Sequence, residues 1–201
     1  MRKAILHLKK ADPILSSLIQ RVGRYGIQYR EPNFETLVRS IVYQQLSGRV
    51  AAVIFGRLLA LVPGQKLTPE AILKLTPARM RKAGLSKQKT VYIRDLARKT
   101  ARGALRFDTL AKMPDHEVIE HLTQVKGIGV WTAHMFLMFA LQRPDVLPTG
   151  DLGVRMAIRK AYALDDLPHA KYIEEMAACW RPYCSVATWY LWRSLEGNAE
   201  I

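Results

Sequence analysis

Residues 125–141 read Val-Lys-Gly-Ile-Gly-Val-Trp-Thr-Ala-His-Met-Phe-Leu-Met-Phe-Ala-Leu, and the fold turns on how this stretch is read. Residues 115–125, DHEVIEHLTQV, carry a helical pattern that Lys126-Gly127-Ile128-Gly129 interrupts and that resumes at once from Val130 through Gln142. The segment is therefore two helices joined by a glycine turn. Gly127 and Gly129 lack a β-carbon, so the chain can turn sharply and an anion can come close to the backbone. There the start of the second helix offers N–H groups and the positive end of its dipole. Ile128 is placed to point inward and pin the turn to a core. A glycine turn between helices is most often only a turn, and its surroundings decide whether it is more.

Working outward, the signals remain helical. Asn33 caps a helix whose Phe34, Leu37, Val38, Ile41 and Val42 form one apolar face, and a second helix follows Gly48 as far as Val62, before Pro63. Thr68-Pro69 and Thr76-Pro77 each place a capping hydroxyl before a proline at the first helical position, and Gly84 ends the second of these short helices. Ser86 caps a longer helix, residues 87–102, whose Val91, Ile93, Leu96 and Ala97 form a narrow apolar stripe among basic residues. After the hairpin, the loop 143–150 leads to Asp151 and a helix over 153–162, and two more helices carry the aromatic-rich tail. No alternating run of useful length suggests a strand, so the expected fold is all-α.

The chain has 201 residues with 31 Lys+Arg against 17 Asp+Glu, a formal charge of +14. At 49% apolar and 24% charged residues it can bury a core, and its length suits one large or two small domains. Cys179 and Cys184 form neither a disulfide framework nor a metal-ligand set, which reads as a reducing, cytosolic setting. The five histidines show no metal-ligand spacing. The N-terminus is too charged for a secretory segment, and the longest apolar run, Met135 to Leu141, is too short to span a bilayer. The positive excess makes a polyanion the leading partner.

The hairpin segment, together with Leu147-Pro148-Thr149-Gly150-Asp151, resembles the helix-hairpin-helix DNA glycosylase superfamily, with its glycine- and proline-rich loop and an aspartate some twenty residues beyond the hairpin. Residues 41–58, IVYQQLSGRVAAVIFGRL, and 84–97, GLSKQKTVYIRDLA, are similar to helices of its 3-methyladenine DNA glycosylase II (AlkA-like) branch, in the compact form without an N-terminal β-domain. The resemblance runs from about Pro32 to about Gly197. It implies two helical lobes, 33–145 and 1–32 with 146–201, with a DNA-binding and active-site cleft between them.

The resemblance also assigns roles. Asp151 takes the place of the catalytic aspartate, where a carboxylate stabilises the oxocarbenium-like transition state and orients water; it is equally a helix N-cap, and the two roles coexist. Trp131 stands where lyase members place a lysine, so a monofunctional enzyme is expected. A cationic alkylpurine would stack on Trp131 and Trp192, with Tyr43 and Tyr190 as candidate walls and Met135 replacing a tyrosine of some relatives. Gln45 and Leu46 are candidates for the wedge that fills the space left by a flipped nucleotide; a capping or core role for the Gln44-Gln45 pair stands beside this. Gly127, Gly129 and the Trp131 amide, with Lys126 and Arg155, would hold phosphate. The carbonyls of Thr123, Val125 and Ile128 are a candidate seat for Na+ or K+; no cofactor is otherwise required. Lys87, Lys89, Arg94, Arg98 and Lys99 form either a second DNA contact or a solvated face.

The expected function is a monofunctional DNA glycosylase of base excision repair that removes alkylated purines such as 3-methyladenine and 7-methylguanine, with hypoxanthine and ethenoadenine as further candidates. The expected partner is damaged double-stranded DNA, bound by a monomer with no membrane involvement, in the cytoplasm and associated with the nucleoid if bacterial. One alternative is a non-catalytic DNA-binding or damage-recognition protein of the same fold. Another is an oxidised-base glycosylase/lyase, disfavoured by Trp131 and by the missing iron–sulfur cysteines.

Overall fold

The computed structural model describes residues 1–196. Among these it is all-α, with no strand. The chain divides into a central unit, Arg30–Leu141, and a terminal unit made of Met1–Tyr29 and Gln142–Ile201, of which residues 197–201, including the Gly197 limit of the resemblance, lie outside the described residues. The unit boundaries fall within four residues of those drawn from the sequence.

The terminal unit opens with α1 (Arg2–Ala11) and α2 (Pro13–Val22). Neither was anticipated, although Asp12-Pro13 is the same cap-then-proline signal as at Thr68 and Thr76. Asp12 Oδ1 accepts the amides of Ile14 and Leu15 at 2.9 Å. In the central unit follow α3 (Phe34–Tyr43), α4 (Gly48–Leu59), α5 (Pro69–Lys74), α6 (Pro77–Lys82), α7 (Lys87–Ala101), the short α8 (Phe107–Leu110), α9 (Asp115–Thr123) and α10 (Val130–Phe139). The terminal unit resumes with α11 (Leu152–Ala161), α12 (Ala170–Met176) and α13 (Cys184–Glu196).

The caps form as the sequence predicts: Asn33, Thr68, Thr76 and Ser86 each accept a backbone amide of the first turn, and Ser47, not singled out from the sequence, does the same for α4. Helix ends deviate more. α4 stops at Leu59 rather than Val62, and α10 at Phe139 rather than Gln142. In the central unit α7 is the spine, packed against α3, α5 and α6, while α9 packs on α10. Its buried face is Thr90, Ile93, Asp95, Leu96 and Ala97. Val91, expected in the stripe, is 42% exposed, because the face that meets the neighbours runs through 90, 93 and 97, one helical turn at a time.

In the terminal unit α13 packs on α2 and α11, around the fully buried Trp180 and Tyr190. Asp12 joins the two chain segments: its Oδ2 accepts the Trp180 indole N–H at 2.8 Å and the Tyr162 hydroxyl. Burial and then this bond push the Tyr162 phenol above its ordinary range. Cys179 is exposed, Cys184 is buried, and both are free thiols.

Candidate functional site

The hairpin of the central unit is braced from three sides. Gly127 has φ +81, and a β-carbon there would lie 2.0 Å from Tyr92 Cδ2 on α7. Its missing side chain is required by the turn, one of the two reasons the sequence offered, and by the Tyr92 ring. Gly129 is different. It is the N-cap of α10 in extended conformation (φ −98, ψ 176), brings no side chain to the first-turn amides, and has nothing within 4 Å of where a β-carbon would stand. Here the open backbone needed for close anion approach exists. Ile128, 4% exposed, points into the core as expected.

Asp95 is the residue that sequence reasoning missed. It is 7% exposed and accepts the backbone N–H of Lys126 at 3.0 Å, with Lys99 Nζ at 2.7 Å and Arg98 at 3.7 Å. Burial pushes its carboxyl upward, but the hydrogen bonds from Lys99 and Lys126 and the nearby charges outweigh it and hold the carboxyl below the usual range. The signal was a lone acid in an otherwise basic helix. The amide of Lys126 is thus spent inside the protein, and only its exposed side chain faces solvent. The basic helix itself is corrected in part: Lys89, Arg94 and Lys99 are neither a solvated face nor a free contact surface, since each is bonded within the unit.

The turn after α3 carries the expected wedge residues. Gln44 leaves the helical region (φ −54, ψ 130), Gln45 sits at φ +56, and both Gln45 and Leu46 are exposed. A positive φ is uncommon outside glycine, and such strain persists only where neighbours enforce it. They do so here: Lys89 Nζ donates to the carbonyls of Val42 and Gln44, each at 2.7 Å, and Gln44 Nε2 donates to the Gly127 carbonyl at 2.8 Å. Burial holds the Lys89 ammonium pKa below its usual value. This turn and the hairpin are therefore tied to each other. Gln44 has a bracing role, while Gln45 projects.

Beside this turn the central unit holds a pocket of about 460 Å³. Tyr43, Gln45, Trp131 and Met135, all singled out from the sequence, line it together with Arg30, Thr36, Arg39, Ser40, Gln44 and Thr132. Trp131 is 49% exposed. His134, on the same helix, is pushed below its ordinary pKa by burial, against a smaller upward pull from Asp115.

In the terminal unit Asp151 caps α11. Its Oδ1 accepts both the Val154 amide and the Trp192 indole N–H, each at 2.8 Å, and the residue is 8% exposed. Two donors on one oxygen fix the plane of the carboxylate. Trp192, expected as a pocket aromatic, is a donor that holds Asp151. Gly153 permits this: a β-carbon there would lie 3.1 Å from both Asp151 Oδ1 and Trp192 Cδ1. Tyr190 is corrected outright as a pocket wall, being wholly buried with its hydroxyl donating to the Gly23 carbonyl at 3.1 Å. Arg155 is corrected too: its guanidinium donates to the carbonyls of Pro168 at 2.9 Å and Leu167 at 3.5 Å, clamping a loop instead of standing ready for phosphate.

For a cation, the carbonyls of Thr123 and Val125 belong to the C-terminal turn of α9, the negative end of its dipole, which suits a monovalent ion. The Val125 carbonyl already accepts the Ile128 amide at 3.0 Å, leaving it one lone pair. No cluster of His, Cys, Asp or Glu among the described residues suits a harder metal site, and no helix among them is long and apolar enough to cross a membrane.

The model of the HhH-GPD superfamily of base excision DNA repair proteins matches residues 38–182. The chain belongs to this superfamily. The HhH-GPD chain is 34% identical over 200 residues to DNA-3-methyladenine glycosylase 1 of Schizosaccharomyces pombe, covering 96% of this chain and 87% of that one. The solved S. pombe 3-methyladenine DNA glycosylase in complex with abasic DNA superposes with a TM-score of 0.84 at 34% identity, over 94% of this HhH-GPD chain and 95% of that chain. The DNA-3-methyladenine glycosidase of Bacillus halodurans superposes with a TM-score of 0.85 at 37% identity, over 94% and 87%.

Proposed function

We propose that this HhH-GPD protein is a DNA glycosylase that hydrolyses the N-glycosidic bond of alkylated purines in duplex DNA and leaves an abasic site. The observation that carries this is Asp151, a nearly buried carboxylate held on one oxygen by the Val154 amide and the Trp192 indole, in a chain whose relatives bear the names given above. Departure of the base leaves positive charge on the sugar, and a fixed carboxylate stabilises that charge without reorganising. The same group orients the attacking water. Since an alkylated purine is already a good leaving group, no strong general acid is needed.

The flipped base enters the pocket beside Trp131, Gln45 fills the vacated space, and the Gly129 end of α10 receives a backbone phosphate. Lys126 adds charge there, and the carbonyls of Thr123, Val125 and Ile128 would hold a monovalent cation, which would add positive charge at the hairpin. An indole at 131 cannot form a Schiff base, so the product is an unbroken strand. The enzyme works as a monomer, in the cytoplasm or on the nucleoid.

The test is base release from duplexes containing 3-methyladenine, 7-methylguanine, hypoxanthine or ethenoadenine, by the wild type and by Asp151→Asn. Asparagine retains an acceptor for the cap, so the variant should fold and bind DNA while losing base release by a factor of at least about 10². Turnover retained in Asp151→Asn would refute the catalytic assignment. Strand breaks without alkali would refute monofunctionality, and DNA binding with no release of any base would favour the non-catalytic alternative.

A further inference from the structure

Arg39 on α3 is the pocket residue that the reaction above does not use. Its guanidinium carbon lies 4.1 Å from the Tyr43 ring centroid and 5.2 Å from that of Phe55. It lines the pocket that Trp131 and Met135 share, and among the described residues no hydrogen bond or ion pair engages it. Stacking on aromatic faces keeps a guanidinium in place without consuming its N–H donors. Three neighbouring donors are engaged within the unit. Thr36 donates its hydroxyl to the Glu31 carbonyl at 2.7 Å, Ser40 to the Thr36 carbonyl at 3.0 Å, and Gln44 its amide to Gly127.

The pocket thus offers a ligand a fork of donors held in place by stacking and carrying a positive charge, with the exposed Arg30 adding a second charge at its edge. Tyr43, with Arg39 across its ring, does not present that face to a cationic base, which leaves Trp131 as the stacking surface. A base that bears positive charge gains no hydrogen bond from this fork and meets its charge, so its binding rests on the Trp131 face. A neutral base with two adjacent acceptors matches the fork, as guanidinium matches the O6/N7 edge of a 6-oxopurine.

Resting on the glycosylase reading, we propose that Arg39 is a specificity-determining residue. It reads the O6/N7 acceptor edge of an extruded neutral purine, of which hypoxanthine is the damaged example, and it handicaps cationic lesions. In 7-methylguanine the methyl group removes the N7 acceptor and adds charge, and in 3-methyladenine an amino group stands where the fork needs an acceptor. Guanine shares the edge, but its intact pair resists extrusion, whereas a mispaired hypoxanthine leaves the stack at lower cost.

Single-turnover base release is compared for hypoxanthine, 7-methylguanine and 3-methyladenine with wild type, Arg39→Met and Arg39→Lys, at one salt concentration. Arg39→Met should lower hypoxanthine release about tenfold, the low end for losing a bidentate pair, with release of the two cationic lesions unchanged or faster. Arg39→Lys keeps charge without the fork, so it should lose hypoxanthine release with no gain on cationic lesions. An equal change for all three bases in Arg39→Met would overturn the proposal. Duplexes carrying 2′-fluorinated forms of the same nucleotides, which resist hydrolysis, give the binding ratio independently of chemistry. If the wild type releases no base, the proposed function fails, and the binding ratio still decides the role of Arg39. Arg39→Gln replaces Arg39→Met if the latter does not fold.

Discussion

Gly127 and Gly129 flank one residue, yet substituting each by alanine should have opposite consequences. At 127 the alanine must hold φ +81, which costs an L-residue about 1–2 kcal/mol. Its β-carbon would also lie 2.0–2.4 Å from three atoms of the Tyr92 ring, against an optimal carbon–carbon separation of about 3.5–4.0 Å. The ring has to move by more than an ångström, an overpacking cost of about 1–3 kcal/mol. The sum, about 2–5 kcal/mol, is a large part of the roughly 5–15 kcal/mol available to a folded domain. Gly129→Ala meets open space at an ordinary φ and should shift stability by less than about 1 kcal/mol, while blocking the approach of a phosphate to α10. Urea denaturation should therefore show a large loss of midpoint for Gly127→Ala and almost none for Gly129→Ala, and anisotropy with abasic duplex should show weakened binding by the fully folded Gly129→Ala. Adding Tyr92→Ala to Gly127→Ala should return about 1–3 kcal/mol as coupling between the two sites. Equal destabilisation by both glycine variants, or no relief from Tyr92→Ala, would refute this division of labour.

Lys89→Met should cost about 1–3 kcal/mol by stranding the Val42 and Gln44 carbonyls, and it should weaken binding to abasic duplex, read by anisotropy, because the Gln45 turn loses its anchor. His134 titrates below its ordinary value of 6.5 because of burial, so the unfolded chain takes up the proton first. Its stability contribution is complete above about pH 6.5 and falls as the pH drops towards the folded value. Denaturation midpoints at pH 7.5, 6 and 5 should fall more steeply in the wild type than in His134→Gln. Gly153→Ala gains helix propensity of about 0.5–1 kcal/mol but forces Asp151 or Trp192 to give by a few tenths of an ångström. Thermal denaturation should show little loss, while base release falls.

The caps were legible because Asn, Ser and Thr act on amides two or three residues away, a local effect that a single sequence displays. Trp131, Met135 and Tyr43 were legible as members of one pocket only through resemblance, since α3 and α10 are distant in the chain, and Gln45, expected only as a wedge, joins their lining. What stayed hidden were pairings across that distance. Nothing local says that Lys89 caps α3, that Asp95 takes the Lys126 amide, or that Tyr92 lies over Gly127. Tyr190 and Arg155 were misjudged for the same reason: an aromatic or an arginine at helical spacing looks alike whether it meets a ligand or its own core. Asp12-Pro13, in contrast, is a local cap-then-proline signal of the same kind as Thr68-Pro69.

The terminal unit is built from two stretches that lie on either side of the entire central unit, with Asp12 of the first bonded to Tyr162 and Trp180 of the second. During synthesis the bonds that tie Gln44 and Lys126 into the hairpin, and Lys89 to the turn after α3, can all form while α11 to α13 are still to be made, because both partners of each lie between residues 30 and 141. The donor that fixes the Asp151 carboxylate, Trp192, is translated 41 residues after it. A nascent or prematurely ended chain therefore makes the bonds of the central unit before Trp192 exists to seat the Asp151 carboxylate.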